Sequence, residues 1–213
     1  MKNLVVYGVS NPMIVKLIDA INRKHNRFNL KGFIVRETEK NVKDVLGYPV
    51  LGTDRIIPEI LAEDPTTYFF NHINFSVAEM KKADEILAQS GCSLVSLVHP
   101  DIDMNHVVHA ENCMLGDGTT VGPNVCIGKH LTCRGAFISH DVTIGDYVYL
   151  SPGVTVCGKS VLEDGCDLGA GCTIIPNTKI GKNSIVGAGA VVIKDLPDNV
   201  TAVGVPARII KHN

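Results

Sequence analysis

The sequence has no tryptophan but twenty glycines, a balance that suits a turn-rich solenoid. It has no charge excess: the formal charge of −2 leaves no basic field to attract nucleic acid or an acidic membrane. It has no apolar run near the roughly 20 residues that a membrane span requires. It shows no targeting segment either, because residues 1–8 run straight into a strand and a turn rather than a long apolar stretch with a cleavage site. The seven cysteines are odd in number and include no Cys-x-x-Cys pair, which points to reduced thiols and a cytosolic protein. At 45% hydrophobic and 20% charged residues the chain has ample core, and its 213 residues suggest one domain or two small ones.

What is present is a repeat. Ile138, Ile144, Leu150, Val156, Leu162, Leu168, Ile174, Ile180, Val186 and Val192 follow one another at steps of six, and all are aliphatic. Four residues after nearly every one stands a small or β-branched residue, among them Val142, Val154, Ser160, Thr178 and Ala190, with Cys166 and Cys172 on the same positions. A period of six fits neither a helix nor a flat alternating strand; it predicts a parallel β-helix with three hexapeptides per triangular coil. Residues eighteen apart then stack, so Ile138, Val156, Ile174 and Val192 form one column of the interior. Glycine is expected at the corners, where a β-carbon is penalised. The repeats are predicted to start near Leu115, to lose one residue near His130 and Leu131, and to stop at residues 194–197, before a tail.

Residues 1–98 read differently. Apolar runs at 3–9, 30–35, 66–70 and 93–98 predict strands. Helical spacing over 12–25, from Asp54 as a cap through Leu61, and over 77–90 predicts helices between them. Strand–helix alternation at these lengths predicts a small parallel α/β domain, followed by the β-helix over 99–213.

A reactive residue on such a solenoid should be polar and outward-facing on a regular coil. His140 and Asp141 hold the third and fourth places of the hexapeptide 138–143. An imidazole accepts protons near neutrality, and an adjacent carboxylate orients it. The pair His106 and His109 has metal-like spacing but reads as surface histidines, and His25, His72 and His212 read as solvent-facing. His130 and His140 find no third histidine with which to bind a metal.

The segment 138–153, Ile-Ser-His-Asp-Val-Thr-Ile-Gly-Asp-Tyr-Val-Tyr-Leu-Ser-Pro-Gly, resembles the active-site segment of the sialic-acid O-acetyltransferase-like family of left-handed β-helix, hexapeptide-repeat acetyltransferases. Within it the resemblance is to the branch acting on nucleotide-linked amino sugars, and it extends to the tail Val203-Gly-Val-Pro-Ala-Arg208. The resemblance implies a Rossmann-like first domain that binds the nucleotide sugar, a homotrimer, a cytoplasmic enzyme of glycan biosynthesis, acetyl-CoA as co-substrate and no metal. By position it makes His140 the base, Asp141 its acidic neighbour, and the Gly158 N–H the donor to the developing oxyanion. It places Ala170 and Ala188 against acetyl-CoA, and Tyr149 near the thioester where many members carry a second histidine. The family's glycine-rich turn after the first strand reads here Gly8-Val-Ser10-Asn11-Pro12, with Pro12 removing a donor, and Arg36 stands where members carry acidic residues. Gly8, Ser10, Asn11 and Arg36 are accordingly the nucleotide-sugar candidates. The expected reaction is N-acetylation of a UDP-, dTDP- or GDP-linked 4-amino-4,6-dideoxy sugar by direct attack. O-acetylation of a sugar hydroxyl is the alternative within the fold, and a non-catalytic scaffold or ligand sensor the alternative outside it.

Overall fold

The computed structural model describes residues 1–74 and 76–213. The chain divides into two compact units, Met1–Leu97 and Val98–Asn213.

In the first unit β1 (Lys2–Tyr7), α1 (Met13–His25) and β2 (Phe28–Val35) are followed by a hairpin of β3 (Asp44–Val45) and β4 (Tyr48–Thr53). Then come α2 (Ile57–Glu63), β5 (Tyr68–Asn71), α3 (Val77–Gln89) and β6 (Ser93–Leu94). The sheet order is β3-β4-β2-β1-β5-β6, parallel throughout except between β3 and β4. Covered on both faces, the central β1 buries Leu4, Val5 and Val6 completely. The helix faces match their spacing: Ile14, Leu17, Ile18 and Ile21 of α1 and Met80, Ala83 and Leu87 of α3 are buried.

Three local expectations change. Asp54 does not cap α2; it opens a short 3₁₀ turn, Asp54–Ile56, and receives the Tyr7 hydroxyl at 3.3 Å. The β3–β4 hairpin was not foreseen, because its two-residue turn has Leu46 (φ +49) and Gly47 (φ +84) where Asn-Gly is the usual signal. His72, expected in solvent, is 3% exposed and packs its ring 6.1 Å from Phe70.

The second unit is a prism of three parallel walls. The first wall stacks the strands Thr120–Val121, Phe137–Ile138, Thr155–Val156, Thr173–Ile174 and Val191–Val192. The second runs from Val107–His109 through Val125–Ile127, Thr143–Ile144 and Val161–Leu162 to Lys179–Ile180. The third runs from Met114–Leu115 through Thr132–Cys133, Tyr149–Leu150 and Asp167–Leu168 to Ile185–Val186 and Val200–Val203. The ten aliphatic positions all point inward at 2% exposure or less, and Cys166 and Cys172 are buried with them.

The coils begin before Leu115, since Val107–His109 already pairs with Val125–Ile127. The tail is part of the prism too. Val200–Val203 adds to the third wall and turns through a cis Val205–Pro206 bond into the antiparallel strand Arg208–His212. The short coil lies elsewhere than expected: Thr132–Cys133 keeps its step of six, and the missing residue falls at residues 134–136, just before Phe137.

Each of the three corners of the prism carries a column of residues at positive φ. One corner uses glycine alone: Gly118, Gly135, Gly153, Gly171 and Gly189. The glycines directly after the aliphatic positions have a different cause. A β-carbon on Gly169 would lie 2.6 Å from the Ala188 nitrogen, so it is the close approach of successive coils that excludes a side chain there. At the corner between the second and third walls, aspartates stitch coil to coil. Asp146 accepts the Lys129 N–H (2.9 Å), Asp164 the Asp146 N–H (3.0 Å) and Asp198 the Lys182 N–H (2.9 Å). Among the described residues, no helix is long and apolar enough to cross a membrane.

Candidate active site

His140 and Asp141 follow the strand Phe137–Ile138 at the corner between the first and second walls. His140 Nδ1 lies 2.7 Å from Asp141 Oδ2. An ionised carboxylate only accepts, so in the neutral imidazole Nδ1 carries the proton and Nε2 the lone pair. The second carboxylate oxygen, Oδ1, receives Asn124 Nδ2 at 3.1 Å from the coil before. His140, then Asn124, hold the Asp141 carboxyl below the usual carboxylate range, outweighing slight desolvation, with a smaller contribution from Lys159. Both side chains are well exposed, 55% and 40%, so as an ion pair they add little to stability. The contact orients the imidazole rather than holding the fold.

Gly158 stacks one coil after His140. A β-carbon there would sit 2.7 Å from His140 Nε2 and 2.8 Å from Cε1, so the ring lies directly against this glycine. The Gly158 carbonyl accepts the Asn177 N–H at 3.1 Å, while its own N–H makes no hydrogen bond among the described residues. The lone pair of Nε2 and this N–H therefore share one small region of surface. A base and a hydrogen-bond donor so placed suit attack on a carbonyl carbon.

The remaining candidates are not gathered there by a single chain. Tyr149 projects from the third wall, which in a triangular prism lies opposite the His140 corner. Ala170 and Ala188 stack at the all-glycine corner, between the third and first walls, where Gly189 N–H binds the Ala170 carbonyl at 2.8 Å. All three are at least partly exposed.

In the first unit the chain runs outward from β1 to β2 and β4, then returns to place β5 on the other side of β1. In parallel α/β sheets, ligands bind at such a reversal, outside the carboxyl ends of the strands. Gly8 lies there with φ +110, and a β-carbon on it would come within 3.1 Å of the His72 carbonyl carbon. Two bonds tie the turn down: Ser10 Oγ donates to the His72 carbonyl after β5 (2.8 Å) and Asn11 Oδ1 accepts the Met13 N–H (2.9 Å). Next to it on the sheet is a cavity of about 320 Å³ lined by Tyr7, Arg36, Glu37, Asp54, Glu79 and Lys82 among others. Arg36 lines it but is engaged, binding Glu39 through two nitrogens (3.1 Å each) and Glu79 (2.7 Å). Burial, then Asp54, raise the Tyr7 phenol well above its usual value. Among the described residues no three metal-ligating side chains cluster.

Residue spacing gives Asn124, Tyr7 and Glu79 no place in a site and reads Asp54 only as a helix cap. Counting one short coil back from Asp141 reaches Asn124, so that signal was present; the cavity residues come from four separate elements and carry none.

Residues 159–194 match the bacterial transferase hexapeptide family (six repeats). The GDP-perosamine N-acetyltransferase of Escherichia coli is 31% identical over 190 residues, covering 80% of this chain and 79% of that protein. The galactoside O-acetyltransferase of Lactococcus lactis is 36% identical over 87 residues, and the match spans only 42% of its length. Among solved structures, that of PerB from Caulobacter crescentus, in complex with CoA and GDP-perosamine, has a TM-score of 0.86 at 28% identity over 99% of this chain and 98% of its own. With an aliphatic six-residue prism, a histidine on its outer corner and similarity of this extent, the chain belongs to the hexapeptide-repeat acetyltransferases, and its prism is their left-handed β-helix.

Proposed function

We propose that this acyltransferase moves the acetyl group of acetyl-CoA to the amine of a nucleotide-linked 4-amino-4,6-dideoxy sugar. The observation that carries the reading is the His140–Asp141 pair, with Nε2 against Gly158, on a chain that superposes over nearly its whole length on a protein holding CoA and GDP-perosamine. A GDP-linked sugar is therefore the acceptor to try first.

In this mechanism the amine nitrogen attacks the thioester carbonyl carbon. The N–C bond forms, and the carbonyl electron pair moves to oxygen, where the Gly158 N–H stabilises it. His140 Nε2 takes the proton from the attacking nitrogen, and Asp141 steadies the imidazolium. Collapse breaks the C–S bond, and the departing CoA thiolate takes the proton from His140. No metal enters these steps.

The cavity lined by Tyr7, Arg36, Glu37 and Asp54, beside the Gly8–Asn11 turn, is the region we assign to the nucleotide. The bonds that engage Ser10 Oγ and Asn11 Oδ1 leave the turn's backbone, rather than those side chains, for the phosphates. Tyr149, Ala170 and Ala188 lie across the prism from His140. Their assignment to acetyl-CoA calls for two copies side by side, so that one copy's third wall faces another's His140 corner. This geometry calls for an oligomer, which we take to be the homotrimer of the resemblance, and sedimentation equilibrium tests it.

Thiol release from acetyl-CoA is the functional assay, run against GDP-, UDP- and dTDP-linked 4-amino sugars with matching hydroxy sugars alongside. Turnover with an amino sugar is expected. Turnover only with hydroxy sugars would move the reaction to O-acetylation, a reading favoured by the similarity to a galactoside O-acetyltransferase.

A further inference from the structure

We infer that Asn124 is a positioning residue for this reaction: its amide anchors the Asp141 carboxylate so that the opposite oxygen keeps the His140 ring in one tautomer, with Nε2 facing Gly158. The inference rests on His140 as the base and adds a third member to its support.

The need for such a member follows from exposure. A carboxylate on a 40%-exposed aspartate, beside a 55%-exposed histidine, is free to rotate toward water, and a single exposed hydrogen bond competes poorly with solvent. A second point of attachment changes that. Asn124 Nδ2 reaches Oδ1 at 3.1 Å while Oδ2 lies 2.7 Å from His140 Nδ1, so the two oxygens are held from two different coils and the carboxylate plane is defined. An asparagine suits the task because its amide is a donor that never ionises.

The fold makes the meeting unavoidable. Asn124 (φ +60) and Asp141 (φ +57) occupy equivalent left-handed positions at one corner, and Lys159 and Asn177 continue the column. The Asp141 N–H binds the Pro123 carbonyl at 3.0 Å, which clamps the two coils together at this point. Asparagine and aspartate are the non-glycine residues that most readily accept this conformation, so the turn and the contact select the same side chains. The shortened corner at 134–136 lies between them and sets the register in which Asn124, rather than its neighbour, stands beneath Asp141.

The test uses the full-length protein and two variants that accept a left-handed backbone. Asn124→Gly removes the amide; Asn124→Asp keeps the side-chain size and removes the donor. Long-range ¹H–¹⁵N spectra report the tautomer of His140, whose resonance is identified by its loss in His140→Ala. The wild type is expected to show one tautomer with the proton on Nδ1, and Asn124→Gly a mixture. With acetyl-CoA and GDP-perosamine, kcat is expected to fall roughly tenfold to hundredfold in both variants at unchanged KM for acetyl-CoA, as small misplacements of a base do. A purely structural Asn124 would lower thermal stability and leave the tautomer alone. An unchanged His140 spectrum in both variants overturns the inference, whatever the acceptor. Full activity of His140→Ala would instead overturn the base assignment, and the two failures are read separately.

Discussion

The contact between Gly158 and His140 lends itself to a sharp test. A methyl group added at Gly158 would stand 2.7 Å from Nε2, 2.8 Å from Cε1 and 3.3 Å from Cδ2 of the ring. Comfortable contact needs about 3.5 Å or more, so the ring must retreat by roughly 0.8 Å at Nε2. Its own chain leaves it room to do so, because the side chain is 55% exposed. Gly158 is not among the glycines at positive φ, so alanine suits its backbone. Gly158→Ala should therefore leave stability within about 0.5 kcal/mol of the wild type, as expected of a substitution that neither opens a cavity nor buries a polar group. The backbone N–H remains in place, which separates ring position from the oxyanion donor. Displacing a base by about 1 Å costs on the order of a hundredfold in rate, so kcat should drop by about two orders of magnitude at an unchanged melting temperature. Steady-state thiol release and thermal unfolding, measured on one preparation, decide it. A variant with wild-type kcat would refute the placement of the reacting atoms over Gly158. A loss of activity that merely tracks a loss of folded protein would refute it equally.

Other outcomes follow from the same structure. His140→Ala should lower kcat by about 10²- to 10⁴-fold, the usual share of a general base, with little change in acetyl-CoA binding measured by calorimetry. Asp141 has its pKa depressed by His140 and Asn124, so the stability it adds is complete above the ordinary carboxylate value and is lost as pH falls through the depressed one. Asp141→Asn should flatten that acid-side dependence in denaturant titrations and, above it, lose the small stability that the ionised carboxylate adds. Ile174, fully buried between Val156 and Val192, should cost about 2–5 kcal/mol when cut to alanine, read as a lower urea midpoint. Burial pushes the Cys133 thiol up to about 11 and those of Cys166 and Cys172 to about 12. At pH 8 a disulfide reagent should accordingly label the exposed Cys126 first and reach all seven thiols only after denaturation.

The prism was the most legible part of the chain, because a coil of three six-residue sides imposes its period on every residue and ten aliphatic positions report it. Adjacent residues such as His140 and Asp141 are likewise visible as a pair, since nearness in sequence brings their side chains within reach. Less could be read where the signal depends on backbone conformation. The β3–β4 hairpin turns through Leu46, which no turn preference would choose, and Asp54 faces Tyr7 instead of capping α2. The missing residue of the short coil is detectable as the eleven, rather than twelve, residues from Ile127 to Ile138, but strand pairing locates it at 134–136.

The sequence by itself determined the architecture, because a repeat that stacks aliphatic side chains has one way to bury them, and it set a histidine beside an aspartate on the outside of that repeat. Only the tertiary structure decided which residues meet. Asn124 reaches Asp141 and Gly158 lies under the imidazole because coils stack at 17 or 18 residues. Tyr149, Ala170 and Ala188 end up across the prism because its three walls face away from one another. Arg36 reaches Glu79 because the chain after β2 meets the first turn of α3 there. A period fixes what each residue faces, in or out; contacts between distant residues depend on register, corner length and the direction of each wall, and those exist only once the chain has folded.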